Sequence, residues 1–215
     1  MDGSLQDRKV VITGASAGIG RALALAFAAA GARVAGCARN AERLNHLAAE
    51  MPGRGHFFLP ADVTHAGEIQ TLHDRVAETF GGVDILVNNT GSIGRMAGFF
   101  DLTDEDWQAV FEVNLLSAVR MCRLFAPTLR HSGAPRIINI SSIAGSRSGD
   151  MFPHYCAMKA GLSNLTASLA AALAPDNILV NTVSPGPVWT QSWEEEAQQA
   201  ARQSGRDLQA VVREI

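Results

Sequence analysis

A doubly wound α/β domain built on a parallel sheet is the fold this sequence predicts, and three observations predict it. Short runs rich in β-branched residues alternate with helical segments along the chain. The runs are almost wholly apolar, the pattern of strands buried on both faces. Each pair of runs is separated by a segment long enough for the right-handed crossover that parallel neighbours require. One such domain is what 215 residues with 47% hydrophobic content can build, and no Pro/Gly/Ser-rich linker or charge block divides the chain.

Lys9 to Thr13 (KVVIT) reads as the first strand, running into a glycine-rich turn, and Ile19 to Ala30 is an alanine-rich helix closed by Gly31. Arg33 to Cys37 is a second strand, and Asn40 caps a helix that runs to Glu50. His56 to Leu59 and Ala66 to Phe80 repeat the rhythm. Further strands are Asp84 to Val87, Arg136 to Ile140 and Ile178 to Val183, the last two flanking a helix from about Tyr155 to Leu173. Thr103-Asp104-Glu105-Asp106 resembles a capping box and opens a long helix toward His131.

Charge and cysteine usage remove several function classes. A net charge of -3 with scattered arginines offers no basic stripe to nucleic acid or an anionic membrane surface. The opening MDGSLQDRKV lacks the apolar core of a signal peptide, and the longest apolar run, Ala22 to Ala30, is far short of a span, so a cytoplasmic protein is expected. Cys37, Cys122 and Cys156 are odd in number and far apart, which predicts reduced thiols. His65 and His73 lack the close pairing of a metal-binding helix, and no metal is expected.

In a doubly wound sheet, ligands bind beyond the carboxyl ends of the strands, so chemistry belongs just after each strand. After the first lies Thr13-Gly14-Ala15-Ser16-Ala17-Gly18-Ile19-Gly20. Gly14 permits a tight turn, Gly18 a close approach to a pyrophosphate and Gly20 close packing of helix on sheet, while amides near Ser16 and Ile19 face the phosphates. After the second strand, no carboxylate stands between Arg33 and Ala41 to accept the ribose hydroxyls of NAD. Arg39 offers a planar cation suited to a 2′-phosphate, which favours NADP(H) over NAD(H), although a solvated loop arginine would read the same way. Asp62-Val63 follows the third strand, where Asp62 either receives the adenine amino group or caps a helix. Asn88-Asn89-Thr90-Gly91 follows the fourth, where polar side chains can tie strand ends together, Asn88 is a candidate cofactor contact and Gly91 leaves room for the cofactor beside the backbone, although a structural turn would read the same way.

The strand end Ile140-Ser141-Ser142 precedes Tyr155 and Lys159, the only tyrosine and one of just two lysines in the chain. Residues four apart on a helix share a face, so phenol and ammonium point into one site. Moving a phenol from a pKa of about 10 to about 7 takes roughly 4 kcal/mol of preferential phenolate stabilisation. One cation about 4 Å away at an effective dielectric near 20 supplies about that much. In isolation the pair would read as a buried aromatic with a snorkelling lysine.

The pair is not isolated. Thr13-Gly14-x-x-x-Gly18-x-Gly20, Asn88-Asn89-Thr90-Gly91, Val113-Asn114, Ser142, Tyr155-x-x-x-Lys159 and Pro185-Gly186 occur in the order and spacing of the short-chain dehydrogenases/reductases, and the chain resembles that family from about Lys9 through Thr190. The resemblance implies a Rossmann-type nicotinamide-dependent oxidoreductase with Asn114, Ser142, Tyr155 and Lys159 as its catalytic set. Tyr155 would exchange a proton with the substrate oxygen that Ser142 holds. Lys159 would lower the phenol pKa and bind the nicotinamide ribose, and Asn114 would interrupt its helix to position a water. Pro185, Gly186, Val188 and Thr190 would complete the cofactor contacts, and a homodimer or homotetramer is implied. Thr90 departs from the family's usual alanine.

The expected substrate is a small-molecule carbonyl compound or alcohol, with Ile143, Met151, Phe152, Val188, Trp189 and Trp193 as candidates for an apolar wall that favours a ketone with some hydrophobic bulk. A helical segment from about 187 to 215 would lie on the substrate side of a single domain 1–215. Family members continue into another helix and a last strand, so a native polypeptide extending beyond Ile215 is expected. A non-catalytic dinucleotide-binding regulatory protein is the rival reading, and the intact catalytic set argues against it.

Overall fold

The computed structural model describes residues 5–190, 194, 197–198, 201–202 and 205–214. Six strands, β1 (Lys9–Thr13), β2 (Arg33–Ala38), β3 (Phe57–Pro60), β4 (Ile85–Asn88), β5 (Arg136–Ile140) and β6 (Leu179–Val183), form one sheet in the order β3-β2-β1-β4-β5-β6. Every pairing is parallel. The order turns back on itself between β1 and β4, so the connections leaving their carboxyl ends run to opposite faces of the sheet and leave a crevice between them.

Period-two alternation sends each strand's side chains to two different cores. Val11, Leu86, Ile137 and Val180 face one side, against Leu72 and Val76 of α3 (Ala66–Phe80) and Met121, Phe125 and Leu129 of α5 (Ser117–Leu129). Val10, Ile12, Val34, Ile85 and Val87 face the other, against Ala24 and Ala28 of α1 (Gly18–Ala29) and Leu44 and Leu47 of α2 (Ala41–Glu50). Truncating a fully buried leucine such as Leu72 or Leu47 to alanine costs about 2–5 kcal/mol in such cores. Alanine prevails on α1 because that helix lies close to the sheet. A Cβ on Gly20 would meet the Gly14 carbonyl oxygen at 2.2 Å.

Strand and helix boundaries fall within a few residues of expectation, and the caps are formed. Asn40 Oδ1 accepts from the Arg43 amide at 2.9 Å. Thr103 and Asp106 exchange side-chain and backbone hydrogen bonds at the start of α4 (Asp104–Phe111). Two features bear on the site. The long helix opened by Thr103 is interrupted at Asn114, as the resemblance implied: a π-helical turn at Glu112–Leu116 separates α4 from α5 and contains that residue. The next helix, α6 (Pro153–Leu173), begins two residues before Tyr155, with Pro153 in its first turn, where a missing amide proton costs nothing.

At the β6 edge, Leu179 and Val183 are about half exposed. Residues 187–190 are not helical, and the last described helix is α7 (Leu208–Glu214).

Candidate active site

The glycine turn after β1 takes the shape expected of it. Gly14 (φ +67°) and Gly18 (φ +53°) are left-handed, a region that side chains disfavour. Across the crevice, Thr190 closes on the turn, since a Cβ on Gly18 would lie 3.2 Å from its methyl carbon. Ser16, Ile19, Arg39, Asp62, Val63, Gly91, Pro185, Gly186 and Val188 all line the same crevice, with an open volume of about 1760 Å³. The left-handed turn, the amides at the start of α1 and this opening fit a dinucleotide. Arg39 is exposed at the lip, and the end of β2 beside it carries no acid. Burial opposes ionisation of Asp62, but the Thr64 amide and hydroxyl, with Arg39 nearby, hold its carboxyl below the usual carboxylate range.

Two residues of the fourth segment exchange the parts their sequence order suggested. Asn88 does not line the crevice. As the last residue of β4 it shares the face of Leu86, so its side chain is 4% exposed and its Nδ2 donates to Asn139 Oδ1 at 2.8 Å, with Cys122 Sγ at 3.3 Å. Asn139 in turn donates to Thr166 of α6 at 2.9 Å, which makes Asn88 part of a buried network tying sheet to helices. Asn89 lines the crevice instead and donates from Nδ2 to the Thr13 and Gly14 carbonyls. Thr13 Oγ1 accepts from the Asn89 and Thr90 amides at 3.0 and 3.1 Å. Gly20 is likewise a packing residue behind the crevice.

Asn114 is 1% exposed and lies behind the lining. Its Nδ2 donates to the carbonyls of Ser92 (2.8 Å) and Val110 (3.0 Å), and its Oδ1 accepts from the Ser92 amide. The π turn leaves this side chain facing the strand-end loop, a displacement no sequence periodicity signals. Gly91 is what lets it approach Lys159. A Cβ there would stand 2.9 Å from Asn114 Oδ1 and 3.0 Å from Lys159 Nζ.

Lys159 is 2% exposed and donates from Nζ to the Ile140 carbonyl at 2.9 Å. Burial pushes its pKa down to about 8. Its ammonium lies 5.6 Å from the centre of the Tyr155 ring. Its own carbonyl accepts from the Ser141 and Ser163 hydroxyls, and Gly145 packs against its backbone, so the lysine is anchored at both ends. Ser142 sits on extended backbone, capping a short 3₁₀ turn at Ile143–Gly145 through a bond from the Ala144 amide. The exit of β5 is pinned to that of β6 by Ser141 N to Val183 O (2.8 Å) and Ile143 N to Pro185 O (3.0 Å). Ser142, Tyr155 and Lys159 therefore converge on one end of the crevice.

Of the expected apolar wall, Ile143, Met151, Phe152 and Val188 line the crevice. Trp189 does not and is 63% exposed, and Trp193 lies outside the described residues. Arg120, Arg147, Ser148 and Asp150 also line it, and nothing in their sequence context singles them out. Arg120 donates to the Thr64 carbonyl (2.7 Å) and to Glu112 (2.8 Å), bracing the wall beyond β3 across the π turn. Cys37 and Cys122 are free thiols whose pKa burial pushes up to about 12, so neither is a nucleophile. Among the described residues no helix is long and apolar enough to cross a membrane.

A parallel six-stranded sheet with this crevice defines a dinucleotide-binding enzyme fold, and comparison with known proteins narrows it. The short chain dehydrogenase family model matches residues 8–201, and the chain belongs to that family of NAD(P)-dependent oxidoreductases. It is 35% identical over its full length to an uncharacterized oxidoreductase, YvrD, of Bacillus subtilis, covering 81% of that protein. With D-threitol dehydrogenase of Mycolicibacterium smegmatis it shares 37% identity over 192 residues, which are 88% of this chain and 74% of the relative. Among solved structures, L-sorbose reductase from Gluconobacter frateurii, complexed with NADPH and L-sorbose, superposes with a TM-score of 0.87 at 32% identity, over 98% of this chain and 81% of that one.

Proposed function

We propose that this protein is an NADP(H)-dependent carbonyl reductase or alcohol dehydrogenase in which Tyr155 moves the proton. The observation that carries the reading is the buried Lys159 ammonium 5.6 Å from the ring of the only tyrosine, at the end of the crevice that Ser142 also lines. Bound nicotinamide supplies or accepts the hydride at the carbonyl carbon. The chain's own residues do the rest. Ser142 Oγ holds the substrate oxygen, and Tyr155 donates a proton to it in reduction or removes one in oxidation. Lys159 favours the phenolate electrostatically and binds the ribose, and it is held for that task by Ile140 O. Asn114 fixes the Ser92 backbone and stands beside Lys159 across Gly91, a route by which the lysine exchanges protons with solvent.

Arg39 at the lip, with no acid at the end of β2, supports NADP(H) over NAD(H), and the NADPH in the L-sorbose reductase structure is in keeping with this. The names of two relatives, a threitol dehydrogenase and a sorbose reductase, support a carbonyl or secondary alcohol as substrate. A protein that only binds the dinucleotide has no use for a desolvated lysine beside its sole tyrosine. The test is a panel of ketones, aldehydes and secondary alcohols assayed with NADPH, NADH and their oxidised forms, followed by nicotinamide absorbance. Turnover of at least one carbonyl/alcohol pair, faster with the phosphorylated cofactor, is expected. No turnover of any member by folded protein that binds cofactor would contradict the reading.

A further inference from the structure

The connection from β5 to α6, which joins Ser142 to Tyr155 along the chain, carries two opposite charges that line the crevice. Arg147 and Asp150 both line it together with Ser142 and Tyr155, and Ser148 lies between them. Both side chains are exposed, and among the described residues neither has an ion-pair or hydrogen-bond partner. That sets them apart from other charged residues of the crevice wall: Arg120 is committed to Glu112 and Thr64, and Asp62 is committed to Thr64. The loop is tied to its surroundings at two points. Arg147 N donates to Ile143 O at 3.0 Å, and Gly149 packs so closely on the Phe152 ring that a Cβ there would meet it at 2.3 Å.

Resting on the proposed carbonyl/alcohol chemistry, we infer that Arg147 and Asp150 select a neutral, polyhydroxylated substrate by bonding hydroxyl groups on the carbons flanking the reacting one. Charge decides between the possible classes. A carboxylate or phosphate substrate would be drawn to Arg147 but repelled by Asp150 three residues away, and a cationic one would meet the reverse. A wholly apolar ketone would gain nothing from either charge and would lose whatever hydration it displaced from them. A hydroxyl both accepts and donates, so adjacent hydroxyls satisfy the guanidinium fork and the carboxylate together. Ile143, Met151, Phe152 and Val188 then pack on the carbon backbone of the substrate. The wall read from the sequence as apolar is therefore mixed, which suits a sugar or polyol better than a hydrophobic ketone.

The test is a matched series of four- to six-carbon ketones, each offered as the polyhydroxy ketone, the unsubstituted ketone and the keto acid, assayed with the preferred reduced cofactor. Parent protein is expected to turn over the polyhydroxy members with kcat/KM at least about tenfold above both others, the size of one hydrogen bond to a charged group. Arg147→Met and Asp150→Asn, both at exposed positions, should each lower that ratio about tenfold, chiefly through KM for the polyhydroxy ketone. Preference for the unsubstituted ketone or the keto acid, or an unchanged ratio in both folded variants, would overturn the inference while leaving the carbonyl chemistry standing. Failure to consume any of the three classes by protein that turns over another carbonyl compound would overturn this inference alone, and no turnover of any carbonyl/alcohol pair would overturn the proposed function with it.

Discussion

Lys159 Nζ lies 5.6 Å from the centre of the Tyr155 ring while donating at 2.9 Å to the Ile140 carbonyl, so one buried cation is shared between the strand end and the phenol. Keeping that cation out of water is costly, and the cost makes a prediction. The fall from the ordinary 10.5 to about 8 corresponds to about 3 kcal/mol. Below pH 8 both folded and unfolded chains carry the proton, and the folded one bears the burial penalty. Between about 8 and 10.5 only the unfolded chain keeps it, so stability contributed at this site rises with pH. Lys159→Met should therefore be more stable than parent at pH 7 by about 1–2 kcal/mol, after allowing for the lost Ile140 bond, and the gain should vanish toward pH 10.5. Its turnover should fall, and what remains should need higher pH. Urea melts across pH read the first effect and pH–rate profiles the second.

His154 should shape the acid limb of stability. It is fully buried, neither ring nitrogen has a hydrogen-bond partner among the described residues, and its ring packs edge-on against Trp107 at 5.9 Å. Burial holds its pKa below the usual imidazole range, against the pull of the Phe152 backbone and the Asp106 carboxylate, itself paired with Arg95. The unfolded chain takes up a proton near pH 6.5 and the folded chain resists it, so stability falls as pH drops below that value. His154→Leu should flatten part of the loss in Tm between pH 7 and pH 5.

Cofactor choice should follow Arg39. Parent protein is expected to bind NADPH more tightly than NADH, and Arg39→Asp should reverse or erase the difference, because a carboxylate repels the 2′-phosphate and accepts ribose hydroxyls. Fluorescence titration of both reduced cofactors measures it, and equal affinities in the parent would count against the assignment.

Gly91→Ala tests the space between Asn114 and Lys159. The added methyl would sit 2.9 Å from Asn114 Oδ1 and 3.0 Å from Lys159 Nζ, tighter than side chains ordinarily come, so one of these bonded groups must shift, the lysine at the expense of its bond to Ile140 O. A stability loss of about 1–3 kcal/mol is expected. Turnover should drop further than stability does, and a larger cofactor KM should accompany it.

Element order, parallel pairing and the meeting of Ser142, Tyr155 and Lys159 in one crevice were legible because apolar runs of strand length, glycine turns and a lone Tyr-x-x-x-Lys each carry a local signal. Asn88 was misplaced for a reason the same sequence contains: it shares parity with the core residue Leu86, so it points under the sheet, and Asn89 takes the crevice. The π turn at Glu112–Leu116 left no trace in hydrophobic spacing, and only the resemblance pointed to an interruption at Asn114. Arg147 and Asp150 were overlooked because a charge in a loop looks solvated until the fold shows which opening it lines.

Proton transfer is assigned to the phenol of Tyr155. Tyr155→Phe keeps the ring that packs against Phe152 and removes only the oxygen that exchanges a proton. Steady-state turnover of a carbonyl substrate that the parent reduces, measured beside cofactor affinity and thermal stability, is the most direct test. Turnover should fall by ~10²- to 10⁴-fold, the scale of lost general acid–base assistance, with cofactor binding and Tm close to the parent's. Near-parental turnover by the folded variant would contradict the role assigned to this tyrosine.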